Sequence, residues 1–139
     1  MTTLLLFALL HGQDDTELKE KEETVRKRLA ELFEICKGED LSKAAGYVVY
    51  RGVDKDRKWK DPCDYKNEDE KKAVDRICER IKGYFKDYES HEIVKFHAEK
   101  ESEGEWCILE VTFKKAEKTK KVAFCFLKVK DAYAIGDID

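Results

Sequence analysis

The residues with most scope for chemistry in this chain are His97, Glu110, Cys125 and Asp137. On neighbouring strands they would form one row, because adjacent strands lie about 4.8 Å apart. A thiol, an imidazole and two carboxylates are the parts of a thiolate nucleophile site or of a metal ligand set. Centring hairpin turns on residues 102–105 and 116–120 sets His97 across from Glu110, Glu110 across from Cys125, and Cys125 across from Asp137. In that row the Glu110 strand separates the thiol from the imidazole, and a one-residue bulge would break the alignment. No catalytic residue and no metal site is therefore assigned. The simpler reading is an outer sheet face used for homodimerisation. Trp106, Leu127 and Tyr133, with Ile108, Val129 and Ile135, supply its apolar part, and the row supplies its polar part.

An interior site would need a carboxylate, histidine or tyrosine held in a poised environment. The other face of the same strands carries Val94, Phe96, Ala98, Cys107, Leu109, Val111, Phe113, Val122, Phe124 and Phe126, which offer none. Polar groups would have to come from Tyr47, Tyr50, Trp59 or Tyr84, or from the loop acids Asp54 and Asp61. Buried tyrosines more often anchor packing through one satisfied hydroxyl. The run DKDRKWKD lacks the glycine and the spaced oxygens of a calcium loop. KKAEKTKK is a lysine-rich turn without interleaved aromatics. His11 and His91 stand alone, and neither G-x-S-x-G nor H-E-x-x-H occurs.

At 139 residues the chain is one domain by length, with enough chain to close a core without metal or disulfide props. With 28 basic and 31 acidic residues the net charge is −3, which gives no electrostatic reason to expect nucleic acid or an anionic membrane as partner. Nothing in the sequence calls for a cofactor. Five cysteines stand without any C-x-x-C spacing, and most read as small buried hydrophobes. Residues 1–15 hold an apolar run, Leu4 to Leu10, too short to span a membrane. It reads either as the core of an export signal or as a short packing helix, so exported and cytoplasmic locations both stand open.

The elements follow from periodicity. Leu18, Val25, Leu29, Leu32, Phe33 and Cys36 give a helix over residues 16–37 ending at Gly38, and a short helix capped by Asp40 or Ser42 follows. A strand-like or irregular connection, stopped by Pro62, runs from Tyr47 to Tyr65, and Asn67 opens a helix to about Tyr88. After Ser90 the period drops to two, and four strands separated by short turns read as an antiparallel meander. Helices followed by hairpins give an α+β domain over residues 16–139, with N-terminal helices packed on a curved antiparallel sheet of about four strands or more.

A long first helix ending in FEICKGEDLSKAA, a helix before the sheet, and a last strand pair FCFLKVKDAYAIGDID together resemble the nuclear-transport-factor-2-like superfamily, a cystatin-like cone. The resemblance implies helices closing a bent sheet over an apolar pocket. Some members, such as ketosteroid isomerase and scytalone dehydratase, are enzymes, and many are binding or assembly domains. The expectation is a non-catalytic binding or interaction domain whose cavity holds a small apolar ligand, lined by Phe33, Tyr50, Trp59, Phe113 and Phe124. The alternative is a lyase, isomerase or hydrolase acting on a small molecule.

Overall fold

The computed structural model describes residues 15–139, so the apolar run at residues 4–10 and both readings of it lie outside the described residues. Helix α1, Asp15–Lys37, forms because Val25, Leu29, Leu32, Phe33 and Cys36 fall on one face and are buried there. The amide of Gly38 donates to the carbonyl of Ile35 at 3.0 Å and tightens its last turn. The short second helix is a 3-10 helix, Leu41–Tyr47, with the Asp40 carboxylate accepting from the Ser42 amide. Helix α2, Glu68–Asp87, is capped by Asn67, whose side-chain oxygen accepts from the amides of Asp69 and Glu70. No helix among the described residues is long and apolar enough to cross a membrane.

Strands β1, Ser90–Glu101, β2, Gly104–Lys115, β3, Lys118–Val129, and β4, Ala132–Ile138, form one curved antiparallel sheet in sequence order. The domain is therefore α+β, with the helices N-terminal to the sheet. Each hairpin turns on two residues rather than on the longer loops expected, and Ala116 and Lys130 take the positive φ such turns require, 54° and 56°. The shorter turns move both inner registers by two residues. Phe113 stands opposite Lys120, Val111 opposite Val122, and Phe96 opposite Leu109. Because the error is even, the faces of β2 and β3 stay as expected.

Two bulges do change faces. Between the pairs Ile93–Val111 and Lys95–Glu110, Val94 is the extra residue, so it points outward and is 47% exposed rather than inward. Between Phe126–Ile135 and Cys125–Asp137 the extra residue is Gly136. This places Tyr133 and Ile135 on the helix-covered face, inside the main core, and corrects their assignment to the outer face.

That main core lies between α1, the 3-10 helix, α2 and the inner sheet face. A smaller core lies on the outer face, where Val49 and Trp59 from the connection pack on Trp106, Leu127, Val129 and Ala134. The connection reaches there by extending the sheet. The amide of Val49 donates to Ile135 at 2.8 Å, and Cys63 and Tyr50 donate to the carbonyls of Val48 and Asp61 at 2.8 Å each. This also covers part of the free edge of β4.

Gly136 is required by this arrangement. A Cβ there would stand 2.5 and 2.6 Å from Cη2 and Cζ3 of Trp106. Gly136→Ala is expected to cost about 2 kcal/mol, read as a lower urea midpoint at unchanged slope. Trp106→Phe in the same chain should recover part of that loss. Additive losses in the double variant would show that the ring and the glycine are not in contact.

Candidate functional site

A cleft of about 660 Å³ opens between α2 and the segment Val48–Val53. Its α2 wall is a stripe at helical spacing, Asp69, Glu70, Ala73, Arg76, Ile77 and Arg80. Val48, Val49, Cys63, Ile135 and Gly136 form an apolar floor. Arg51, Arg76 and Arg80 border it, and Asp69 and Glu70 line it on the α2 side.

Glu70 is already neutralised. Its oxygens accept from Nη1 and Nη2 of Arg57 at 3.0 and 2.9 Å, and Oε1 also accepts from the Asp64 amide at 2.7 Å. The Arg57 guanidinium holds the Glu70 carboxyl below its ordinary range, so it stays ionised and has no proton to give near neutrality. Arg57 itself is anchored further by Asp61 at 3.0 Å, by the Pro62 carbonyl at 3.2 Å, and by the Tyr50 ring, whose centroid lies 4.1 Å away. Asp61 is held ionised by Lys130 and by Arg57. The hydroxyl of Tyr50 accepts from the Asp54 amide at 3.0 Å. Asp54 and Asp61, the loop acids an enzyme here would have used, do not line the cleft.

The three rim arginines are less committed. Arg51 donates once, to the Gly136 carbonyl at 2.8 Å, with its guanidinium 4.9 Å from the Trp59 ring. Arg80 donates from Nε to the Tyr84 hydroxyl at 2.9 Å, which leaves its terminal nitrogens open. Arg76 is exposed at the same rim, one helical turn before Arg80. Each planar guanidinium presents paired donors suited to a carboxylate or a phosphate.

Of the five aromatic residues expected to line an interior cavity, only Tyr50 borders this cleft. Phe33, Phe113 and Phe124 do come together, but as packed core. Their ring centroids lie 5.4 to 6.5 Å apart, and none is more than 4% exposed. Trp59 is on the outer face, edge-on to Trp106 at 5.8 Å. Its φ of 67° is the left-handed region, and its amide is tied to the Tyr50 carbonyl at 3.0 Å.

The outer-face row also differs from expectation. His97 faces Ile108, Ile108 faces Cys125, and Cys125 faces Asp137, while Glu110 has slid to a place between Lys95 and Ala123. The two-residue turns are the cause. An isoleucine therefore separates thiol from imidazole, and burial together with Asp137 and Asp139 pushes the Cys125 thiol up to about 11. A thiol so protonated is a poor nucleophile at neutral pH. Trp106 and Leu127, counted as exposed apolar surface, are 8% and 1% exposed because Trp59 and Val49 cover them. Among the described residues no group of three or more His, Cys, Asp or Glu side chains is placed to hold a metal ion.

No protein-family model, curated protein or solved structure matches this chain. Function is therefore inferred from geometry. Arg51, Arg76 and Arg80 did not stand out in the sequence. Arg76 and Arg80 carried a usable signal, since they flank Ile77 on the edge of the apolar stripe of α2. Arg51 carried none, because its place depends on where the connection crosses β4.

Proposed function

We propose that this domain is a non-catalytic binding module of nuclear-transport-factor-2-like type, holding a small organic acid in the cleft between α2 and Val48–Val53. The ligand is a carboxylate or phosphate monoester on an apolar body. The acid group sits at Arg76 and Arg80, and the body lies over Ala73, Ile77, Val49 and Ile135. The observation that carries this reading is the rim of three guanidinium groups over an apolar floor whose one buried acid, Glu70, is already paired. An acid–base enzyme would need a group able to exchange a proton at that floor, and the buried acid there, Glu70, is held ionised by Arg57. The outer-face residues Trp106, Leu127 and Val129 are packed under Val49 and Trp59 of the same chain, so a homodimer through that face would rest on the surface that remains around them.

The test is amide chemical-shift titration with 2-naphthoate, and with 2-naphthamide as the uncharged control. The acid is expected to shift the amides of Val48–Val53 and of residues 73–80, and to bind at least tenfold more tightly than the amide. Arg76→Ala and Arg80→Ala should each weaken the acid about tenfold. Both side chains are exposed, so stability should change by less than about 0.5 kcal/mol. Equal binding of acid and amide, or shifts spread away from the cleft, would remove the proposal.

A further inference from the structure

Cys36 lies in the last turn of α1 and Cys78 in the middle of α2, with 0% and 1% of their surfaces exposed. Their sulfurs are 2.7 Å apart. That is within about 0.7 Å of a covalent sulfur–sulfur bond, which is about 2.0 Å. The other three cysteines are placed differently. Cys63 donates to the Val49 carbonyl at 3.7 Å, Cys107 is on the inner face of β2, and Cys125 is on the outer face of β3. The two helices thus present one thiol pair across their contact, where two helical side chains can meet without backbone movement.

We propose that Cys36 and Cys78 are a disulfide-forming pair that staples α1 to α2. The oxidant is a low-molecular-weight disulfide such as glutathione disulfide, reached while the chain folds. The Cys78 thiolate attacks one glutathione sulfur, breaking that disulfide and releasing a glutathione thiolate. The Cys36 thiolate then attacks the Cys78 sulfur of the mixed disulfide and releases the second glutathione. Two electrons pass from the cysteine pair to the oxidant, and the two cysteine protons end on the two glutathione thiols. The bridge would close a loop across a sequence separation of 42 residues and so restrict the unfolded chain. It would also fix the helix that forms one wall of the arginine-rimmed cleft, but it does not rest on what that cleft binds.

The experiment refolds the full chain in glutathione disulfide or in a reductant, quenches with acid, unfolds it, and counts free thiols by alkylation and mass. Five alkylated cysteines are expected after reduction and three after oxidation, with one cross-linked peptide pair holding Cys36 and Cys78. The oxidised protein should melt roughly 10 °C above the reduced one. Cys36→Ala and Cys78→Ala should each show four thiols under both conditions. Five thiols after oxidative refolding, or a bridge involving Cys63, Cys107 or Cys125, would overturn the proposal. Thiol counting on the unvaried chain carries the test even where a variant folds poorly.

Discussion

Phe113→Ala is expected to remove about 4 kcal/mol of stability, a large share of the roughly 5–15 kcal/mol that holds a domain together. The residue is 1% exposed at the β1–β2 pairing, where it stands across from His91. Its ring stacks on Tyr84 at 4.9 Å and lies 5.8 Å from those of Phe85 and His91, 6.0 Å from Tyr88, and 6.5 Å from Phe33 and Phe124. Alanine there loses the transfer free energy of the ring, leaves a void walled by rigid rings, and loses edge and stacking contacts worth about 0.5–1.5 kcal/mol each. Urea unfolding should show a midpoint lower by about 2 M, at the slope of about 2 kcal/mol per M typical of a small domain. Phe96→Ala, at a half-buried site on the same face, should cost clearly less. If Phe113 lined a ligand cavity, its loss would change binding and spare stability. A cost below about 1 kcal/mol would therefore mean that these rings are not the packed centre of the domain.

The same residue marks how far a sequence reading reaches. Alternation alone puts Phe113 on the inner face, and alternation survives a register shift of two. Helix ends were legible because Asn67 and Asp40 are capping types at the start of apolar stripes. Bulges were not legible, because an extra residue such as Val94 obeys no period. Gly136 was the one local hint in β4, since a glycine inside a strand often marks a bulge or a close approach. The cleft was hidden for a different reason. Its floor forms only when Val49 bonds to Ile135 and Cys63 to Val48, contacts between segments far apart in the chain. Trp59, which covers the outer face, depends on that same crossing and on a backbone conformation that tryptophan rarely adopts.

Arg57→Ala is expected to cost about 3 kcal/mol at pH 7, and the cost should shrink as the pH is lowered. Glu70 keeps only 7% of its side-chain surface, so removing Arg57 leaves an ionised carboxylate with the Asp64 amide as its remaining hydrogen-bond donor. Stranding such a charge costs about 3–5 kcal/mol when burial is complete. The lower end applies, because the Arg57 side chain is 31% exposed and water can enter where it stood. The sign of the pH dependence follows from Glu70. Arg57 holds its carboxyl below the ordinary value of 4.5, so the folded chain binds that proton less readily than the unfolded chain. The stabilisation is fully present above pH 4.5 and is lost as the pH falls through the depressed folded value. In the Arg57→Ala chain the largest cause of the depression is gone, burial then raises the carboxyl against the Asp64 amide alone, and protonation in mild acid relieves the stranded charge. The two stability curves should therefore converge below about pH 4.5 and separate above it. Glu70→Gln keeps the shape and a carbonyl acceptor for Arg57, so it should cost about 1.5 kcal/mol and flatten the acid limb of the profile. A gap between wild type and Arg57→Ala that stays constant from pH 3.5 to 7 would mean that Arg57 acts by packing on Tyr50 rather than by neutralising Glu70.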